Sequence, residues 1–306
     1  KHNRKGYQMK KLYLLDRNIV DLIDKHNRKA TIPDLKRINK LNRLKELDVK
    51  ESVFSPLLSI IEGKIKRQQV SDGTYISIKQ STEELVEQIN SETTIIDTFI
   101  NHGESDSRFL RTYSHHLAKI LSDGEGDKLI KQKEAYLTLL KEKVGKLRKT
   151  TERLKSYESF KEISNDYDLF KHQPFTLFTL MYIFGSKRSS KMLKFNDPKF
   201  VAYNTIADFN HIKTLNMLLY TMPLMGNISI NFETLDSDIQ FINDAISFQN
   251  SYYSNSESDT DNTLSTMWFP KATVIDDEIP STKDDIDNKE LFYRCYKDFY
   301  GYDLRN

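Results

Sequence analysis

The sequence predicts an α/β fold, a short parallel sheet surrounded by many helices. Three observations carry it. Leu12 to Leu15 is apolar or aromatic at every position and bounded by charge, the pattern of a strand buried on both faces. Far along the chain, "NISINFETLD" alternates, with Ile228, Ile230 and Phe232 on one side, and so reads as a second strand. Most of what lies between has helical spacing, and strands joined through helices pair in parallel.

The elements follow in order. In "KKLYLLDRNIVDLID" the apolar run gives way to helical spacing at Ile19, Leu22 and Ile23, which places Asp16 on a strand-to-helix turn. Pro33 opens an amphipathic helix carrying Leu35, Ile38, Leu41 and Leu44. "SVFSPLLSIIEGKIKRQQ" places Phe54, Leu57, Leu58, Ile61 and Ile65 on one helical face with Glu62 beside it. Ser81 and Glu84 form a capping-box signature at the start of a helix running through Ile95, Ile96 and Phe99. From Asp127 to Tyr157 the composition turns to Lys, Glu and Leu, which predicts a long solvated helix, an inserted arm or lid. Pro198 is expected to open a helix with Val201, Ile212, Leu215 and Leu219. The Ser-, Asp- and Thr-rich stretch from Gln249 to Asn288 is expected to be mobile, with one short strand at Ala272 to Ile275. "NKELFYRCYKDFYGY" closes the chain as an aromatic helix docked on the core. The chain thus divides into 9–101, a helical insertion at 102–196, a return to the first domain at 197–248, the mobile segment at 249–288 and a docking helix at 289–306.

A formal net charge of +2 over 306 residues provides no global basic field, so any contact with nucleic acid must come from local clusters. The single cysteine, Cys295, excludes an internal disulfide framework and a multi-cysteine zinc site, and fits a cytoplasmic protein. The longest apolar stretch, Pro174 to Phe184, is too short to span a membrane and reads as a buried helix. Residues 1–8, where "KHNRK" anticipates the same five residues at 25–29, are set apart from the folded domain.

Two expected strands end on aspartate, at Asp16 and Asp236, with Asp238 close behind, and two helices offer an acid near an apolar face, Glu62 and Asp208. Carboxylates gathered at one sheet edge repel one another unless a cation offsets them, and Mg2+ or Mn2+ suits oxygen ligands. "YLLDRNIVDLI", "SPLLSIIEG", "NTIADFNHIKTLNML" and "FETLDSDIQFI" together resemble, in order and local context, the PIN-domain ribonucleases. The resemblance implies a PIN-like fold and a Mg2+- or Mn2+-dependent endoribonuclease. Asp16, Glu62, Asp208 and Asp236 would be its acidic quartet, Asn18 and Thr234 polar supports, and Asp238 a further ligand. Asp97 is the rival for the third acid. The family domain is shorter, so 102–196 would be largely an insertion or an elaborated helical layer.

Such a chain would act on RNA, with DNA the other possible substrate. It resembles a toxin or defence effector controlled by a protein partner. Lys64, Lys66 and Arg67 after Glu62, and Lys187 and Arg188 in the loop-like "GSKRSSK", are the basic residues expected to hold a phosphate backbone. Each residue also has a plainer reading. Asp16 can cap the helix that follows it, Glu62 can pair with Lys66, Asp208 can bond to Asn204, and Asp236 or Asp238 can cap a helix at Ile239. Of His115 and His116, one is expected buried and one exposed. The alternative to a nuclease is a helical interaction or scaffold subunit with a degenerate nuclease-like core.

Overall fold

The computed structural model describes residues 9–71, 74–123, 129–145, 150–198, 200–221, 228–254, 262–282 and 287–305. Its elements begin with β1 (Lys10–Leu15), α1 (Arg17–Asn27), α2 (Leu35–Leu47), β2 (Ser52–Ser55), α3 (Leu57–Gly63), β3 (Ile65–Ser71), β4 (Thr74–Lys79) and α4 (Thr82–Phe99). They continue with β5 (Glu104–Ser105), α5 (Ser107–Thr112), α6 (Ser114–Asp123), α7 (Ile130–Val144), α8 (Thr150–Asp166), α9 (Pro174–Ile183), α10 (Lys187–Leu193) and α11 (Ala202–Thr221). The last are β6 (Ile228–Glu233), α12 (Ser237–Ala245), β7 (Ile246–Ser254), β8 (Asn262–Pro270), α13 (Ala272–Glu278) and α14 (Asn288–Tyr300). The chain forms two compact units, one of Lys1–Glu125 with Leu215–Ser237 and one of Gly126–Thr214 with Asp238–Asn306.

The first unit holds the sheet. Its four strands are parallel in the order β5-β2-β1-β6, so β1 is interior and the chain changes direction between β1 and β6. Leu14 and Leu15 are wholly buried, as a parallel strand covered on both faces requires. Tyr13 and Leu15 pack with Ile19 and Ile23 of α1, Leu41 and Leu44 of α2, and Ile96 and Phe99 of α4. The capping box at Ser81 and Glu84 forms as the sequence predicts. At the strands' entry end, Asp48 accepts the backbone N–H groups of Asn101 (2.7 Å), His102 (3.2 Å) and Gly103 (2.6 Å), tying the approach to β2 to the approach to β5. A Cβ on Gly103 would meet the Ser52 carbonyl at 2.9 Å.

The second unit is mainly helical. All ten residues of α9 are buried, which explains why it is apolar all round. Tyr136 of α7 bonds to Ser164 of α8 at 2.8 Å, and Phe299 of α14 meets Phe160 of α8 at 4.8 Å, so the aromatic terminal helix docks as expected. No helix among the described residues is long and apolar enough to cross a membrane.

Several expectations are corrected. The single helix expected over Phe54 to Ile65 is three elements, because Pro56 lacks the N–H that would extend either a strand or a helix interior, and β3 pairs with β4 instead. The long solvated helix is the pair α7 and α8, whose Tyr136, Leu137, Leu140, Tyr157 and Phe160 are buried; Leu147 lies outside the described residues. "GSKRSSK" is helix α10, capped by the Ser186 side chain on Ser189 N–H, rather than a loop. The helix after Pro198 begins at Ala202, and the side chains of Leu215 and Leu219 are outside the described residues. The expected strand at Ala272 to Ile275 is helix α13, and the strands of that region are the antiparallel pair β7 and β8. His115 and His116 are both exposed. Residues 1–8 are not among those described.

Candidate functional site

In a parallel sheet every strand ends at the same edge, and a ligand crevice opens where the strand order reverses. Here that point lies between β1 and β6. Leu15 is in register with Glu233, so Asp16 and Thr234 are the first residues past the two strands. The N–H of Asp16 donates to the Glu233 carbonyl at 3.2 Å, carrying the ladder one step beyond β1. Ser55 ends β2 and Asp106 follows β5 at the same edge.

Asp16 is 1% exposed. One carboxylate oxygen caps α1 by accepting the Ile19 N–H at 2.9 Å, and the other accepts the Thr234 hydroxyl. The capping reading of Asp16 is therefore correct. Thr234 Oγ1 accepts the Asp236 N–H at 2.8 Å, so Thr234 supports both aspartates. Asn18 is exposed in the first turn of α1.

Glu62, near the end of α3, accepts the Arg17 N–H at 3.2 Å. Its side chain is exposed by area yet has protein on most sides, as a group at the mouth of a concavity does. Crowding by protein raises its carboxyl above the ordinary range; the Arg17 N–H and guanidinium oppose the rise, and the charges of Asp21 and Asp236 add to it. Glu62, Asp21 and Asp236 thus share one field. The pairing of Glu62 with Lys66 is not found: Lys66 binds Glu84 at 3.3 Å.

Two carboxyls that the sequence reading missed belong to the same region. Glu92 of α4 is 8% exposed, accepts Gln88 Nε2 at 2.7 Å with one oxygen and has no hydrogen-bond partner on the other. Burial pushes its carboxyl up to about 7, against the lowering influence of Ser59, Gln88 and Arg17 and with the help of Asp21. Gln88 in turn accepts Gln80 Nε2 at 2.7 Å, and Gln80 donates to the Gly63 carbonyl, so the chain of amides braces the end of α3 that presents Glu62. Asp106 accepts the Ser55 hydroxyl at 2.6 Å; burial pushes its carboxyl up to about 6, the Ser55 bond opposing and Asp97 adding. A signal for Glu92 was legible, since it interrupts the apolar row Leu85, Ile89, Ile96, Phe99. Asp106 had none, because β5 is two residues long. Asp97, the rival third acid, is engaged by Arg111 at 2.7 Å and by the Ser105 hydroxyl.

Asp208, Asp238, Lys187 and Arg188 lie in the second unit. Asp208 pairs there with Lys194 at 3.7 Å and Asp238 with Lys191 at 3.2 Å. Ser237 opens α12, so the helix cap expected at Ile239 falls earlier. Lys187 is exposed on α10, while Arg188 pairs with Glu278 at 3.3 Å and covers the Phe241 ring at 4.9 Å. Lys64 is half-buried at the end of α3, and the side chains of Arg67 and His211 lie outside the described residues.

The basic residues that do flank the edge are on α2. Lys36 donates to the Leu235 carbonyl at 2.8 Å, and Lys40 and Arg43 bind the buried Glu233, Arg43 at 3.4 Å. Three cations one turn apart therefore line the end of β6 against one carboxylate. Among the described residues no three His, Cys, Asp or Glu side chains are grouped so as to hold a metal ion by themselves. Comparison with protein-family models, with curated proteins and with solved structures returned no match.

Proposed function

We propose that the first unit is a PIN-like, metal-dependent nuclease acting on RNA. The observation that carries this reading is the gathering of Asp16, Thr234 and Asp236 at the β1/β6 reversal with Glu62 across from them. The donors are all oxygen, and the charges of Asp21 and Asp236, which add to the rise that burial causes at Glu62, are of the kind a divalent cation offsets. Mg2+ is commonly held by one or two carboxylates, with waters and substrate phosphates filling the other positions, so a three-ligand protein cage is not needed. Asp16 and Asp236 would hold Mg2+ or Mn2+, with Glu62 beside them. The ion would supply charge stabilisation at the phosphate and a more acidic bound water. Asp16 is held in place by the Ile19 N–H and the Thr234 hydroxyl, so its carboxylate is fixed before any substrate arrives. The α2 cations offset the repulsion between these carboxylates and a phosphate backbone.

Cleavage of labelled RNA and single-stranded DNA, with and without Mg2+ or Mn2+, tests the reading. Parent activity that depends on the ion and is lost in Asp16→Asn and Asp236→Asn, with circular dichroism unchanged, is the expected result. The cap that Asp16 makes on α1 favours a second reading, an interaction subunit without catalysis. No cleavage by the parent and no heat of divalent-ion binding would select it.

A further inference from the structure

Outside the acidic crevice, the most unusual surface of the first unit is on α5 and α6. Phe109 is 63% exposed, Tyr113 52% and Ile120 58%, and His116 is exposed between the last two. Phe109 is on α5, Tyr113 at the turn between the two helices, and His116 and Ile120 on α6; the Phe109 and Tyr113 rings already touch, centroids 4.8 Å apart. Leaving two aromatic rings and an isoleucine in water is unfavourable in the free protein, so the row has the character of a binding surface.

Charge identifies the occupant. From Ser107 to Ile120 the chain carries Arg108, Arg111, Lys119 and two histidines and no carboxylate. Arg108 and Lys119 are exposed, whereas Arg111 is engaged by Asp97. Two exposed cations beside flat apolar rings suit a polyanion that carries flat apolar faces of its own, which uses both features. Position agrees with this. α5 begins two residues after β5, at the sheet edge where Asp16 and Asp236 lie, and two neighbouring strand spacings, about 10 Å, separate β5 from β1.

We propose that Phe109 and Tyr113 form a base-stacking platform for single-stranded nucleic acid, with Arg108 and Lys119 on its phosphates. A duplex keeps its base faces covered, so the platform selects unpaired strands. The proposal rests on the nuclease reading only for the presence of nucleic acid at this edge; stacking itself needs no catalysis.

The test is fluorescence anisotropy of a labelled 12-nucleotide RNA, the same sequence as DNA, and the RNA duplex. It uses the full chain in chelator so that nothing is cut. Single strands are expected to bind more tightly than the duplex. Phe109→Ala/Tyr113→Ala should weaken single-strand binding about 10-fold or more without changing its salt dependence. Arg108→Ala should instead lower the slope of log K against log salt by about 0.7. Both sites are exposed, and unchanged thermal unfolding would show that the fold is intact. The proposal falls if the double variant binds as the parent does, if the duplex is preferred, or if the parent binds no strand. It also falls if the parent self-associates in sedimentation and the double variant does not, which would make the row a dimer face. The nuclease reading fails separately: stacking-dependent binding with no ion-dependent cleavage overturns the catalysis and leaves the platform standing.

Discussion

The carboxyls around the sheet edge of the first unit and a set of surface carboxyls in the second unit are held in opposite ways. In the second unit, Asp298 is held below the usual carboxylate range, first by its bond from Lys161 and then by the Tyr157 hydroxyl. Asp276 is lowered likewise by Tyr293 and Lys289, while Asp208 and Asp238 face Lys194 and Lys191. Around the sheet edge of the first unit, Glu62, Glu92 and Asp106 are all raised, in each case chiefly by burial. Folding gains little from carboxyls kept in that condition. Acids paired with cations stabilise a surface, whereas acids raised by burial mark a place where a cation or a proton is expected. That contrast is what favours the first unit for the proposed chemistry.

The comparison can be broken at its strongest point first. Asp16→Asn and Asp236→Asn should each lower ion-dependent cleavage by about 100-fold or more, whereas Asp238→Asn, whose partner is Lys191 in the second unit, should leave it near the parent rate. Equal losses in all three would erase the distinction between the units.

Leu14→Ala removes a wholly buried side chain from the strand that carries Asp16, and a loss of about 4 kcal/mol in urea unfolding is expected. A loss under about 1 kcal/mol would mean that the floor of the crevice is not a packed core.

Glu92→Gln sharpens the contrast through pH. The Glu92 carboxyl is raised in the folded protein to about 7 from an ordinary 4.5, so folding must keep it protonated where the unfolded chain has ionised. Below about pH 4 both states are protonated and the substitution should be neutral. Between the two values the parent loses stability as pH rises, and above about pH 8 Glu92→Gln should be the more stable by about 3 kcal/mol. Urea midpoints at pH 4 and pH 8 measure this; an equal effect at both would show that the carboxyl is not raised.

Asp298→Asn should give the smallest effect with the opposite sign. A lowered carboxyl contributes stability above its unfolded value, lost as pH falls through the folded one. The substitution should therefore cost about 0.5 kcal/mol at pH 7, since half of the Asp298 side chain is in water, and progressively less as pH falls through the lowered carboxyl.

Much of the fold was legible in the sequence. β1, α1, the Ser81 capping box, β6 and α14 are written in local patterns of apolar period and capping residues, which neighbouring chain does not alter. The misreadings occurred where a short element borrows its stability from elsewhere. β2 has four residues and β5 two, too few for a period to show; β2 forms on the edge that β1 presents, and β5 in turn on the edge of β2. Helices α7 and α8 were expected to be solvated because Lys and Glu dominate their composition. Composition is silent about which stripe is covered, and Tyr136 and Phe160 lie on the covered one.

The site divides in the same way. Sequence alone determined that Asp16 ends a buried strand and turns into a helix, and that Thr234 and Asp236 end another, because both statements concern residues within a few positions of each other. Only the tertiary structure decided that these two places are one: the Thr234 hydroxyl reaches Asp16 across 218 positions, carried there by parallel pairing of β6 with β1. It also decided that Glu92 is a buried acid in the field of Asp21, which acts on Glu62 as well, that Asp97 is held by Arg111 instead, and that Lys36, Lys40 and Arg43 of α2 flank the end of β6. Hydrogen bonds and electrostatic fields act over a few ångströms of space, and in a parallel sheet those ångströms join segments that the chain keeps far apart.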